Sequence, residues 1–321
     1  MLMNKIDNSE LKIGISSCLL GNEVRFDGGH KHDRYVTGTL GNYFTFVPVC
    51  PEVECGLSIP REAMRLTGDP ENPTLVTNKT GVDHTDRMIK WATKKVVQLE
   101  QESLCGFIFK NRSPSSGMER VKVYDQNNVP RSIGVGLFAK AFMTHFPLLP
   151  VEEEGRLHDI LLRENFIESI FVYRRWRDVM ASPSSGKLVD FHSRHKLLLM
   201  AHSEKHCRMM GKMVAQAGKL DLNELISQYQ ESLMTAMRLK PTIKKHVNVL
   251  MHMMGYFKKL ISADEKQELL GVINQFHEAI VPLIVPVTLL NHYIRKFNEP
   301  YLKTQYYLNP HPLELKLRNH A

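Results

Sequence analysis

The chain has no long hydrophobic run and few cysteines. No uncharged apolar stretch reaches the about 18 residues of a membrane-spanning helix, and Met1–Asp7 lacks the apolar core of a secretory signal. Five cysteines in 321 residues, with no Cys-x-x-Cys pair, argue against a disulfide framework and against a local zinc knuckle. We therefore expect a cytoplasmic protein with reduced thiols and no membrane contact, in which the fold must assemble any metal site.

Charge is distributed unevenly along the chain. Residues 1–160 carry 19 basic and 20 acidic side chains, whereas residues 161–321 carry 23 and 14, with 10 of the 15 histidines. A near-neutral half joined to a basic half is typical of a catalytic domain attached to a module that binds a polyanion. A basic helical domain without such a ligand explains the charge equally well.

Hydrophobic periodicity divides the chain into an α/β part and a helical part. Short apolar runs at residues 12–16, 44–49 and 105–110 indicate strands, and Asp83–Glu102 has the spacing of a helix. Beyond Ser182 nearly every segment repeats apolar residues at intervals of three and four. The helices predicted there are 189–216, 221–237, 243–260, 264–279 and 287–297.

This pattern predicts two domains. The first, residues 10–155, is an α/β domain with a small open, mostly parallel sheet and flanking helices. A connecting helix and linker follow over residues 156–188. The second domain, residues 189–312, is all-α, and 321 residues are enough for both cores.

Three segments place a small nucleophile or acceptor where a predicted strand gives way to a turn. They are Ile15–Gly21 with Cys18, Val47–Glu52 with Cys50, and Lys110–Gly117 with Ser113 and Ser116. Strand ends of an open α/β sheet gather a site, because their side chains point into a common crevice while the sheet fixes the backbone. We expect the three segments to share one site.

These motifs resemble the thiouracil desulfidase (TudS) family. The resemblance covers about residues 12–150 and rests on Ser17–Gly21 with Arg25–Gly29, on Cys50–Glu52 with Gly56–Arg61, and on Ser113–Glu119. The segment Asp190–Ser203 resembles the start of the YbgA-type helical domain. The fusion is similar to the RudS-type tRNA 4-thiouridine desulfidases, in which the first domain is catalytic and the second helps to hold tRNA.

The resemblance implies a 4Fe-4S cluster held by three cysteines, with one iron open to the sulfur of the substrate. Cys18 and Cys50 stand at two ligand positions, and Ser116 stands where the family has its third cysteine. Three explanations are open. Ser116 ligates iron as an alkoxide, Cys55 or Cys105 supplies the missing thiolate, or the chain holds no working cluster through an engineered or natural substitution.

Further roles follow from replacing sulfur by oxygen at C4 of a thiolated base. Water must attack the ring carbon, and a base must take up its proton. The resemblance implies that Glu52 handles this proton, that Ser113 hydrogen-bonds the base or the water, and that Arg25 and Asp27 shape the substrate pocket. The structural alternatives are a surface salt bridge for Glu52, a turn for Ser113 and loop contacts for Arg25 and Asp27.

Two histidine clusters have spacing compatible with metal binding. They are His30 and His32 beside Asp33, and His202 and His206 beside Cys207. The second lies among basic residues, so a helix face exposed to solvent or to a polyanion is the stronger interpretation. Cys105 and Cys207 are interpreted as small buried hydrophobic side chains.

The basic half offers candidate phosphate contacts for tRNA, and no protein partner is implied. They are Arg174, Arg175, Arg177, Arg194, Lys196, Lys205, Arg208, Lys244, Lys245, Lys258 and Lys259. The sequence therefore predicts a desulfidase that converts 4-thiouridine in tRNA to uridine without net redox. The alternatives are a tRNA-binding protein without a cluster, and a desulfidase of free thiouracil, for which a basic second domain has no evident use.

Overall fold

A computed structural model describes residues 11–319 of the chain, so the segment Met1–Asp7 lies outside the described residues. Two compact units divide the molecule, Met1–Asp159 and Ile160–Ala321. The predicted connection over residues 156–188 is therefore split between them, with its helix assigned to the second unit.

The described part of the first unit contains eight strands in two sheets. In chain order they are β1 (Lys12–Ser16), β2 (Thr45–Val49), β3 (Met64–Gly68), β4 (Pro73–Thr77), β5 (Gly106–Phe109), β6 (Val121–Tyr124), β7 (Pro130–Gly134) and β8 (Val151–Glu153). The first sheet has the order β2-β1-β5-β8, and all its pairs are parallel. The strands predicted at residues 12–16, 44–49 and 105–110 are confirmed as β1, β2 and β5.

The second sheet, with the order β4-β3-β6-β7, was not predicted. It pairs β3 with β6 in parallel and is otherwise antiparallel. Strand β7 exposes every residue except Gly134, so it carries no alternating apolar signal. The sheet packs through a small core that includes Leu66, Leu75, Val121 and Val123.

Helices of the first unit lie between the strands. They are α1 (Arg34–Gly38), α2 (Pro51–Glu54), α3 (Thr85–Glu100) and α4 (Leu137–His145). Helix α3 corresponds to the predicted helix over Asp83–Glu102. It buries one apolar stripe at intervals of three and four residues, formed by Met88, Ala92, Val96 and Leu99. The predicted fold class, a mostly parallel sheet with flanking helices, is confirmed for this unit.

The second unit is helical, as predicted. Its helices are α5 (Ile160–Ala181), α6 (Ser185–His202), α7 (Glu204–Val214), α8 (Leu222–Met237), α9 (Ile243–Gly255), α10 (Ala263–His277), α11 (Ile284–Lys296) and α12 (Pro300–Lys303). Helix α5 buries Phe166, Ile170 and Trp176, so it is a core helix of this unit rather than a linker. No helix within residues 11–319 has the length and apolar character needed to cross a membrane.

The single helix predicted over residues 189–216 is interrupted at Ser203. This residue is extended, with φ −159° and ψ 107°, and ends α6. Its hydroxyl accepts a hydrogen bond of 3.3 Å from the backbone N–H of His206 in the first turn of α7, so Ser203 caps that helix. The apolar periodicity continues across the break. The Ser203 side chain, however, forms a hydrogen bond with the backbone that replaces the continuous helical hydrogen bonding.

Candidate active site

The candidate site lies at the carboxyl ends of β1, β2 and β5. These strands are neighbours in a parallel sheet, so their ends meet at one edge. Cys18 lies in the 3-10 turn that follows β1, and Cys50 lies between β2 and α2. After β5, the turn Ser113–Gly117 closes with a hydrogen bond of 2.8 Å from the Gly117 N–H to the Ser113 carbonyl. The three motifs therefore meet in one place.

A cavity of about 360 Å³ opens at this edge. Its lining includes the predicted site residues Cys18, Cys50, Glu52, Ser113 and Ser116. One water molecule occupies about 30 Å³ of the liquid, so the cavity is large enough for a polyatomic group.

Cys55 and Cys105 do not supply the missing thiol. The Cys55 thiol donates to the backbone carbonyl of Glu52 at 3.2 Å and packs against the core of the second sheet. Cys105 is fully buried and immediately precedes β5. Neither is among the described residues that line the cavity, whereas Ser116 is. The positions of Cys55 and Cys105 conflict with the suggested substitution, and Ser116 stays the predicted third position.

Burial disfavours the thiolate forms of Cys18 and Cys50. Burial raises the pKa of Cys18 to about 11, against the effect of Lys110. Burial and the Glu52 charge raise the pKa of Cys50 to about 12. Without a cation these groups remain protonated, whereas iron would supply the charge that two thiolates need. The donor set therefore fits an iron–sulfur cluster, with two soft sulfur ligands and a serine hydroxyl at the third position.

Glu52 is held in place by the serine turn. The Ser115 hydroxyl lies 2.6 Å from Glu52 Oε1 and 3.0 Å from Ser113 Oγ. Glu52 Oε2 lies 3.6 Å from Cys50 Sγ and 3.9 Å from an Arg61 nitrogen. The carboxylate therefore has one oxygen on the serine turn and the other beside the predicted ligand Cys50.

Ser113 has a local structural role in addition to lining the cavity. Its hydroxyl oxygen accepts hydrogen bonds from the N–H groups of Ser115, at 3.3 Å, and Ser116, at 3.2 Å. This arrangement stabilises the turn. Ser113 therefore has the role in a turn that the sequence left open as an alternative. Its direct contact with a substrate stays a prediction.

Five cations also line the cavity: Arg25, Lys31, Arg61, Lys110 and Arg112. Arg61 donates to the Val24 carbonyl at 3.0 Å, the carbonyl that also faces Cys50 Sγ at 3.8 Å. Lys110 is paired with Glu154, and this pair was not predicted. The sequence alone indicates no role for Lys110 or Ser115. Both lie in the segment Lys110–Gly117, in which only Ser113 and Ser116 matched the functional positions of the family.

Asp27 lies outside the cavity lining. Its carboxylate accepts from the Gly29 N–H at 3.1 Å and faces Arg25 Nε at 3.4 Å. The backbone hydrogen bond is the main reason that the pKa of Asp27 is lowered. Asp27 therefore has the loop contact that the sequence left open, and any effect of Asp27 on the pocket would act through Arg25, which lines it.

The histidine clusters do not converge on metal sites. His32 Nε2 lies 2.8 Å from the Thr37 hydroxyl, and Asp33 caps α1. His202 is fully buried between Glu168, at 3.1 Å, and the Leu239 carbonyl, at 2.8 Å. The interpretation of His202 as a solvent-exposed or polyanion-facing residue is therefore wrong, because its imidazole is part of the core.

A second polar cluster is buried in the helical unit. Glu164, Glu168 and His311 place ligand-type atoms within 4.8 Å of one another. Arg318 donates to Glu164 at 3.1 Å and to Glu168 at 2.6 Å, and it is itself buried. Because the Arg318 guanidinium already supplies positive charge to Glu164 and Glu168, we assign the cluster a structural role as a buried ion-pair network.

The predicted tRNA contacts differ in their surroundings. Exposed side chains among them are Arg194, Lys196, Lys205, Arg208, Lys244, Lys258 and Lys259. Arg174, Arg177 and Lys245 are partly buried. The Arg175 guanidinium packs 3.9 Å from the centre of the Tyr306 ring and donates to the Pro310 carbonyl. Arg175 is therefore a packing residue, and its predicted phosphate contact conflicts with this position.

Comparisons with known proteins agree with this division. The family model described as 2-thiouracil desulfurase matches residues 13–154, and the model DUF1722, a protein of unknown function, matches residues 196–312. The chain is 32% identical over 135 residues to the uncharacterized protein YbgA of Escherichia coli (strain K12), covering 42% of this chain and 80% of YbgA. It is 30% identical over 108 residues to the uncharacterized protein YbbK of Bacillus subtilis (strain 168), covering 32% of this chain and 71% of YbbK.

Among solved structures, the 4Fe-4S-dependent thiouracil desulfidase TudS matches with a TM-score of 0.38 and 27% identity, over 48% of this chain and 97% of that one. The family models and curated relatives define a fused architecture of two known domain types. The chain belongs to the family of YbgA, and it joins this DUF1722-type domain to a domain over residues 13–154 that matches the 2-thiouracil desulfurase model. The resemblance inferred from the motifs is confirmed, and the match over residues 13–154 supports desulfidase chemistry in the first unit.

Proposed function

We propose that the protein is an iron–sulfur-dependent desulfidase that converts 4-thiouridine in tRNA to uridine. The reaction consumes water and releases hydrogen sulfide, so it needs no oxidant or reductant. Cys18 and Cys50 would hold the cluster as thiolates, with Ser116 as a weaker hydroxyl ligand. When bound, the cluster supplies a Lewis-acidic iron for the sulfur of the substrate.

The protein side chains would handle the proton and orient the reactants. Glu52 Oε2 lies beside the cavity and is placed to accept a proton from the attacking water. Arg61 is near that oxygen and can stabilise its negative charge. Lys110 lowers the pKa of the Cys18 thiol and so favours the thiolate that iron requires.

The observation that favours tRNA over free thiouracil is the charge of the cavity. Five cations line it against two carboxylates, Glu52 and Glu62, although residues 1–160 carry nearly equal numbers of each charge. Lys31 and Arg112 are exposed and form no ion pair among the described residues. Binding of a neutral base does not require this rim of five cations around the cavity, whereas a polynucleotide presents phosphates near every base.

Arg112 and Arg120 make a matched pair for testing the substrate. Both are exposed arginines with positive φ, 56° and 53°, but only Arg112 lines the cavity. Arg112→Ala should weaken tRNA binding about threefold to tenfold and reduce the log–log salt slope by about one, because one phosphate contact is lost. Arg120→Ala should change neither quantity, and Arg112→Ala should leave turnover of free thiouracil unchanged.

Binding is measured by filter retention over a series of salt concentrations, and turnover by mass spectrometry of digested nucleosides. Preference for free thiouracil, with no effect of Arg112→Ala on tRNA, would identify a free-base desulfidase instead. Because a serine stands at the third ligand position, a tRNA-binding protein without turnover is the second candidate function. Salt-dependent tRNA binding by protein that holds no iron and releases no sulfide would favour that candidate.

A further inference from the structure

The serine turn after β5 has a member to which neither the motifs nor the family comparison gives a role. Ser115 is fully buried, and its hydroxyl lies within hydrogen-bonding distance of Glu52 and Ser113. We propose that Ser115 is a positioning residue that fixes the Glu52 carboxylate for proton transfer. The inference rests on the proposed function, since it concerns how Glu52 is presented to the reacting water.

The direction of the hydrogen bonds supports this role. An ionised carboxylate only accepts, so the single Ser115 hydroxyl proton is donated to Glu52 Oε1 over 2.6 Å. Ser115 Oγ can then accept the hydroxyl proton of Ser113, 3.0 Å away. A short hydrogen bond to a charged acceptor is among the stronger ones in proteins, which makes Ser115 an effective anchor for one carboxylate oxygen.

The second oxygen, Oε2, accepts from the Cys50 thiol, which would have no proton to donate once Cys50 held iron as a thiolate. Glu52 Oε2 lies 3.6 Å from Cys50 Sγ, and the cavity is lined by both residues. Rotation of the carboxylate would exchange its two oxygens or turn them from the cavity, and the bond to Ser115 opposes this rotation. Holding a proton-transfer group in one orientation contributes to rate because small misplacements are costly.

Ser115 is itself held by a rigid backbone. Its carbonyl accepts from the N–H groups of Phe138, at 2.9 Å, and Ala139, at 3.1 Å, in the first turn of α4. A side chain at Gly136 would place its Cβ 2.5 Å from that carbonyl. The turn therefore packs directly against the start of a helix, which fixes the backbone position of the residue that carries the hydroxyl.

The test compares Ser115→Ala with Ser132→Ala, a serine removal on exposed strand β7. Ser115→Ala should lower kcat by about tenfold to a hundredfold with KM and iron content unchanged, since a misplaced group costs up to about 10²-fold. Crystal structures of the iron-free proteins should show Glu52 turned away from its parent orientation only in Ser115→Ala. Ser132→Ala should match the parent in all four measurements.

Three results would overturn the inference, and the first two are an unmoved Glu52 in Ser115→Ala and a moved Glu52 with undiminished kcat. A loss of iron in Ser115→Ala would also overturn it, because the serine would then support the cluster rather than Glu52. If the parent removes sulfur from no substrate, the proposed function fails. The orientation of Glu52 in the two crystal structures still decides in that case whether Ser115 fixes the carboxylate.

Discussion

A partly buried thiol, a buried thiol and a buried hydroxyl define this site at the scale of single residues. Cys18, Cys50 and Ser116 line one cavity, and the thiols have raised pKa values because burial disfavours their charged forms. A hydroxyl releases its proton less readily than a thiol, so Ser116 would be the weakest of the three proposed iron ligands. Restoring a thiol at Ser116 should therefore raise the affinity for iron.

Thiol reactivity tests the residue-scale electrostatics. The pKa of Cys18 is about 11, against an ordinary value of about 9, so its thiolate fraction at pH 8 is about a hundredfold lower. The higher nucleophilicity of a more basic thiolate offsets part of this, leaving alkylation about tenfold slower than for a free thiol. Iodoacetamide labelling of iron-free protein, followed by mass spectrometry of the Cys18 peptide, measures the rate.

Labelling should accelerate as pH rises toward 11, and Lys110→Gln should slow it further because Lys110 lowers this pKa. Urea-unfolded protein provides the unperturbed reference. Native Cys18 that labels as fast as the unfolded protein at pH 8 would contradict the assigned electrostatics.

Local motifs predicted the ligand positions but not the contacts among them. Cys18, Cys50 and Ser116 each follow a strand that an apolar run predicted. The sequence could therefore predict that these three residues lie at one site. The bond from Ser115 to Glu52 joins residues 63 positions apart and depends on side-chain rotamers, which a single sequence does not show. From the sequence alone, Arg175 is likewise predicted to be a surface cation, and only the structure shows that it packs on Tyr306.

Secondary-structure elements with strong periodicity were predicted, and weakly patterned ones were not. Strands β1 and β5 are apolar runs that are buried in the middle of a parallel sheet, which leaves a clear signal. Strand β2 is an edge strand and is only partly buried, but its sequence is still a short apolar run. Strand β7 is nearly all exposed and has no such signal. The helices of the second unit follow their apolar stripes, but the break at Ser203 depends on one local cap.

Several histidines of the second unit lie where the charged imidazolium is disfavoured, so they should make this unit less stable in acid. Burial lowers the pKa of His192 to about 4, of His246 to about 3 and of His311 to about 4. Each contribution is present above the unfolded pKa of about 6.5 and is lost as pH falls toward the folded value. Glu164, whose pKa burial raises, takes up a proton in the folded state and offsets part of the loss.

The second unit should therefore lose stability between pH 6.5 and 4. Each such histidine costs about 1.4 kcal/mol of unfolding free energy per pH unit across that range. Fluorescence of Trp176, one of the two tryptophans, reports its melting in a Trp91→Phe background. His192→Gln should flatten the pH dependence, whereas His252→Gln at an exposed position should not. Equal melting temperatures at pH 7 and pH 5 would contradict this account.

At the scale of the whole molecule, the chain combines a desulfurase-family unit with a basic helical unit. The first contains a cavity with two thiols, a carboxylate and a cationic rim. The second carries most of the excess positive charge of the chain. Both properties suit a large anionic substrate, and neither is needed for a small neutral base.

Iron, sulfide and 4-thiouridine measured on the same anaerobically prepared protein test the central claim most directly. Ser116→Cys should raise iron content and tRNA desulfidation together, because thiolate binds iron better than a hydroxyl. Glu52→Ala in that background should keep the iron and lose about 10²-fold or more in turnover, since it removes only the proton acceptor. If neither the parent nor Ser116→Cys binds iron while both bind tRNA, the account of a cluster-dependent desulfidase is wrong.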